Sequence, residues 1–272
     1  LFFLIFFNYF ILKETFKTSN KDILKFLYIF AFVFFNLSFN RIAEYGTDKA
    51  GQLLIVILII KFFQHTCIDK GKKNIINVLF LIPLLALCIS LKTYFLPYII
   101  LGVLILLIDD KKFNILKKIL LTKSFLFFSA LLILNFLHHF ISTGCVISPL
   151  PFTCFGELTI WGKDLDVING LSIWLEQWAK AGAGPNFRVE NIDEYIANIQ
   201  WVPHWFEKYF LVKFLDQLAI LITTFIVVFF ILKKFEFKQN KIILNKNFYY
   251  FYFLHLFIFL IWFLKHPTLR YG

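Results

Sequence analysis

Glu44 and Asp48 lie four residues apart in the stretch RIAEYGTD (residues 41–48), with Arg41 three positions ahead of Glu44. On a helical turn both carboxylates would share one face. A pair of that kind at a membrane surface can hold a metal ion, orient a hydroxyl or serve as a general base. The same spacing also fits a solvated, charge-balanced loop. Gly46 and Gly51 favour a built turn, because glycine takes backbone conformations that other residues resist.

A second cluster, TGCVISPLPFTCF (residues 143–155), follows His138 and His139. A bridge between Cys145 and Cys154 would close a small loop stiffened by Pro149 and Pro151, as an oxidising compartment permits. Zinc on His138 or His139 is the weaker reading, since the cysteines lack a CxxC spacing. Residues 157–210 then mix the acids Glu157, Asp164, Asp166, Glu176, Glu190, Asp193, Glu194 and Glu207 with Trp161, Trp174, Trp178, Trp201 and Trp205. Carboxylates that bind hydroxyls beside rings that stack on sugar C–H groups suit carbohydrate; an amphipathic lid on the bilayer would have the same composition. The chain ends on WFLKHPTLRYG (residues 262–272), where Pro267 stops a helix and Arg270 has the forked geometry that fits phosphate. A basic anchor among headgroups would look alike.

The elements that must position these residues are apolar. Of 272 residues, 60% are hydrophobic and 39 are Phe, and mean hydropathy is +0.75. A soluble domain sits nearer 45–50% apolar, so one globular core would not hide the excess. The expected fold is all-α, a polytopic transmembrane bundle of about eight spans. They are Leu1 to Leu12, Asp22 to Phe39, Gly51 to Cys67, Ile75 to Leu91, Tyr94 to Ile108, Ser124 to Ile141, Leu211 to Leu232 and Phe248 to Leu264. Three regions follow: helices with an exofacial loop at 40–50 in residues 1–141, an exofacial region with short helices at 142–210, and helices with an exofacial tail at 211–272. Inside the spans, snorkelling accounts for Lys61, pairing with Lys213 for Asp216, and His255 is embedded deeper. The chain contains no Met and opens within an apolar run, which reads as an internal fragment of a longer protein.

Sidedness follows from lysine. Lys13, Lys17, Lys21 and Lys25, then Lys70, Lys72 and Lys73, then Lys111, Lys112, Lys117, Lys118 and Lys123, then Lys233, Lys234, Lys238, Lys241 and Lys246 fall on one side by simple alternation. These connectors are expected in the cytoplasm, with the chain multi-pass in a membrane. The formal charge of +11 therefore points to lipid and argues against nucleic acid as partner. The carboxylate pair, the two cysteines and the chain end all fall on the opposite side.

RIAEYGTD, TGCVISPLPFTCF with Trp161 after it, and HPTLRYG resemble stretches of bacterial membrane proteins related to the glycosyltransferase C superfamily. The resemblance covers most of the chain as topology and only these three stretches as motif. It implies an enzyme that transfers a sugar from a polyprenyl-phosphate donor to a saccharide or glycolipid acceptor of the cell envelope. It also implies an acidic catalytic base in the first exofacial loop, often with divalent metal nearby; that loop is expected upstream of Leu1, and Glu44 and Asp48 are carried over as second-loop acids near the site. Substrate contacts map to Arg41, Trp161, His266, Arg270 and Tyr271. Two other classes fit the same chain: a transporter or flippase for a lipid-linked saccharide, and a noncatalytic scaffold of envelope assembly.

Overall fold

The computed structural model describes residues 2–17, 22–38, 47–68, 75–102, 117, 119–156, 159–184, 187–233 and 246–268. Helices dominate. They are α1 (Phe2–Lys17), α2 (Asp22–Ser38), α3 (Thr47–Phe63, prolonged by a π-helical turn Gln64–Ile68) and α4 (Ile75–Leu91), followed by a 3-10 segment Thr93–Ile99. Then come α5 (Lys123–Thr143), α6 (Leu165–Ala179), α7 (Ile192–Ala197), α8 (Trp201–Trp205), a π-helical stretch Phe206–Phe214, α9 (Leu215–Lys233) and α10 (Lys246–Lys265). One small antiparallel ladder pairs β1 (Ala183–Gly184) with β2 (Phe187–Arg188).

The core is a four-helix arrangement centred on α3. Leu4, Phe7 and Ile11 recur at helical spacing on α1, and Leu24, Tyr28, Ala31 and Phe35 do so on α2. α3 is apolar over most of its length and buried on most of its surface, whereas α5 buries no residue fully and α10 buries only Ile258 and Trp262. A helix apolar on every side belongs either inside protein or in lipid. α3 takes the first place, and the exposed Leu126, Leu134 and Ile141 of α5 have the character of the second. Within this apolar setting Asn8 and Asn36 exchange two hydrogen bonds of 3.0 Å between α1 and α2, a polar fastening typical of packed membrane helices. Phe26 and Phe30 meet Phe225 edge-on at 4.8 and 6.0 Å, which ties α2 to α9.

Among the described residues, three helices are long and apolar enough to cross a membrane: Ala50–Ile68, Lys123–Thr143 and Lys246–Lys265. A fourth follows if Trp201–Val212 and Leu215–Phe230, bent by 47° against each other, count as one broken span. Among the described residues the expectation of about eight spans is met in part. α2 and α4 are apolar but 17 residues long, a rise of roughly 26 Å against a hydrocarbon core of about 30 Å. The stretch expected to span from Tyr94 begins as a 3-10 segment, because Pro97 has no N–H for an α-helical bond and its ring crowds the preceding turn.

Two ends of the bundle can be distinguished. At one, Lys61 of α3 pairs with Glu14 of α1, its ammonium lies 5.5 Å from the Tyr28 ring, and the Tyr28 hydroxyl bonds Gln64 Oε1 at 3.2 Å. Lys61 is thus ion-paired, which replaces the expectation of snorkelling alone. α10 starts at this end: Asn247 Nδ2 donates to the Thr66 carbonyl at 3.0 Å, and Phe251 packs on Phe63. At the other end a Cβ on Gly51 would run into the Phe95 ring, so the start of α3 lies against the 3-10 segment. α10 finishes there as well, with Tyr94 edge-on to His266 at 5.6 Å.

Candidate functional site

The region between α5 and α9 is built as a small folded module. α5 stops at Gly144, whose φ of 75° is a left-handed cap that donates to Phe140 O at 2.8 Å. A side chain there would approach Gly162 Cα to 2.8 Å, so both the backbone conformation and the close approach require glycine. Cys145 and Cys154 form a disulfide, flanked by a backbone pair in which Val146 N–H donates to Thr153 O and Phe155 N–H to Gly144 O, each at 3.0 Å. Thr153 Oγ1 donates to Ile147 O at 2.9 Å and closes the loop from inside. Phe155 and Trp161 stand edge-on to Phe140 at 5.7 and 6.2 Å.

Beyond this loop α6 presents its last turn to the chain end. Gln177 is fully buried, donates from Nε2 to Gly182 O at 2.9 Å, and so shapes the turn into the β1–β2 ladder. The Tyr195 hydroxyl donates to Lys180 O at 2.8 Å, and burial pushes that phenol up to about 12. α7 is capped by Asn191, which accepts from Glu194 N–H while its amide donates to Glu194 Oε2, a reciprocal arrangement.

The charged centre is Glu176. Its Oε1 accepts from Lys180 at 2.7 Å, one turn on, and both carboxylate oxygens lie 3.4 Å from Lys265 at the end of α10. Lys180 is 3% exposed and tolerates burial because it also donates to Ile196 O at 3.0 Å and lies 5.1 Å from the Trp201 ring. Lys265 is 63% exposed. His266 follows directly. Burial holds its imidazole below the ordinary 6.5; Glu176 opposes that effect, while Lys265, Lys180 and Lys92 add to it. Four charges from three parts of the chain therefore act on one histidine.

Two tryptophans hold the turn after α10. Trp205 donates its indole N–H to Pro267 O at 2.7 Å, and Trp262 donates to Thr268 O at 3.1 Å. Trp201, Trp205 and Phe263 pack together with ring centres 5.3 to 6.3 Å apart. A buried indole needs an acceptor, and here each acceptor is a backbone carbonyl of the turn that follows the helix.

Of the residues singled out in sequence, His266 lies in this cluster. Trp161 is 58% exposed and sits on Phe140 near the disulfide loop. Asp48 belongs to the first turn of α3, the end of that helix that meets Phe95; Arg41, Glu44, Arg270 and Tyr271 lie outside the described residues. Among the described residues no three His, Cys, Asp or Glu side chains gather as metal ligands. Sequence reasoning missed Lys180, Lys265 and Gln177 as site residues. The i, i+4 pair Glu176 and Lys180 was the available signal, whereas the meeting with Lys265 crosses 89 positions and leaves no local trace.

The whole chain, residues 1–272, matches the family described as a domain of unknown function, DUF8201, and belongs to that family. No curated protein and no solved structure matches it.

Proposed function

We propose that this protein is an integral membrane glycosyltransferase of the bacterial inner membrane. It moves a sugar from a polyprenyl-phosphate donor to an envelope acceptor on the outer face, with its lysine-rich connectors in the cytoplasm. The observation that carries the reading is the Glu176, Lys180, Lys265 and His266 cluster, walled by Trp201 and Trp205 and placed one residue past the end of a membrane-length helix. Cations at that level suit a phosphate whose lipid tail lies in the bilayer, and the carboxylate beside them suits a sugar hydroxyl.

In the reaction the acceptor oxygen attacks the anomeric carbon as the bond from that carbon to the phosphate oxygen breaks. Polyprenyl phosphate leaves with the electron pair, and the acceptor proton passes to a carboxylate. Glu44 or Asp48 takes that proton, and Arg41, Trp161, Arg270 and Tyr271 complete the substrate contacts. Cationic groups beside the leaving phosphate stabilise its charge. The full chain in nanodiscs, supplied with labelled polyprenyl-phosphate sugars and envelope saccharide, is expected to release polyprenyl phosphate. The reading fails if no donor in the panel is consumed.

The bend of 47° after the π-helical stretch favours a second reading. Broken helices at membrane depth are a device of transporters. Transfer of an intact fluorescent lipid-linked saccharide between leaflets, with no sugar released, would select that reading.

A further inference from the structure

The carboxylate of Glu176 is held unequally. Its buried partner Lys180 is at 2.7 Å and keeps two other contacts, while the outward partner Lys265 is at 3.4 Å and well exposed. Lys180 therefore belongs to the module, and Lys265 makes a longer, solvent-washed pair of the kind that contributes little stability. Around His266 the charges number three lysines and one glutamate, an excess of two positive charges. On the same turn Thr268 is 1% exposed, and its hydroxyl has no hydrogen-bond partner among the described residues. A buried donor of that kind is what a ligand oxygen satisfies.

We infer that Glu176 is a displaceable internal counter-ion, and that the end of α10 exchanges it for a phosphate ester that pairs with Lys265 beside the Pro267–Thr268 turn. The inference rests on the reading above for the source of the phosphate and adds a regulatory element to the same site. In the free protein the carboxylate neutralises Lys265 and keeps the site closed. An arriving phosphate carries more charge than the carboxylate and can offer oxygens to several donors at once. No covalent step is involved, only the exchange of one anion for another. Glu176 remains on Lys180 when it releases Lys265, so the module keeps its buried pair.

The sign of one substitution separates this scheme from a plain binding role. If Glu176 held the sugar or the phosphate through a cation, removing its charge would weaken binding. If it competes for Lys265, removing its charge strengthens binding. Thermophoresis of the detergent-solubilised full chain would use geranyl phosphate, inorganic phosphate and geraniol as probes. Glu176→Gln is expected to tighten geranyl phosphate roughly threefold to tenfold, with Lys265→Gln weakening it about tenfold and Lys265→Glu abolishing it. Geraniol binding is expected to be the same in all variants. Inorganic phosphate that binds with the same dependence on Lys265 supports the anion site and assigns it to free phosphate; binding of geranyl phosphate alone assigns it to lipid.

Since Glu176→Gln also strips a buried lysine of its carboxylate, the Lys265 pair of variants stands on its own as a test. Unchanged affinity in both Lys265 variants, or weaker affinity in a folded Glu176→Gln, overturns the inference. Failure of the transferase reading looks different: geranyl phosphate still binds through Lys265 while no sugar is moved. Sugar transfer that is indifferent to Lys265→Glu overturns the inference and leaves the transferase standing.

Discussion

Replacing Trp205 with Phe removes one N–H and one fused ring from a position that is 5% exposed. The hydrogen bond of 2.7 Å to Pro267 O disappears. A buried carbonyl left without its donor costs about 1–3 kcal/mol. The lost ring area, on the order of 40 Å² at 25 cal/mol per Å², adds about 1 kcal/mol. The sum is about 2–4 kcal/mol, which for a chain of this size corresponds to a fall in melting temperature of roughly 5–15 °C. Cys67 and Cys88 are free and buried while Cys145 and Cys154 are bridged, so a thiol-reactive dye reports unfolding without any added label. Trp262→Phe acts on the next carbonyl, and because both indoles hold one turn the double variant is expected to lose less than the sum. A melting temperature for Trp205→Phe within about 2 °C of the parent would refute the idea that the indole clamp fixes the end of α10.

Two further outcomes follow from the other polar clusters. Lys61→Met leaves Glu14 in a partly buried place, with side-chain exposures of 23% and 17% for the pair, and is expected to cost about 3 kcal/mol, the low end for a broken buried pair. The double variant Lys61→Met, Glu14→Leu recovers most of that in the same melting assay; equal losses in single and double variants would contradict it. His266 is held below its ordinary 6.5 by burial, so the unfolded chain binds its proton first as pH falls. Stability from this group is full above about 6.5 and declines as pH drops below that value. Melting curves across that range should slope for the parent and flatten for His266→Gln, and parallel curves would remove His266 from the pH dependence.

Much of the fold was legible because it depends on local composition. Long apolar runs bounded by lysine gave the helices at 50–68, 123–143 and 246–265 nearly to their ends. The number of spans was not legible, since apolar content does not distinguish a helix that packs inside protein from one that reaches across lipid. α4 and the segment around Pro97 illustrate this: both are apolar enough, and helix length and a missing N–H decide the outcome. The charged cluster was legible only in part. Glu176 and the tryptophans stood out as types, yet the contact that organises them joins α6 to α10 through tertiary packing. Lys265 read as a headgroup anchor because nothing in its own neighbourhood names a carboxylate 89 positions away.

The account depends on the Glu176 cluster lying at the outer membrane face, opposite the lysine-rich connectors. Single cysteines at Asp193 and Lys117, both exposed, in a chain with Cys67 and Cys88 changed to Ala, test this in intact cells with a membrane-impermeant thiol reagent. Labelling of the Asp193 position with protection of the Lys117 position until the membrane is permeabilised is the predicted result. Equal labelling of both from outside, or the reverse order, would contradict the account.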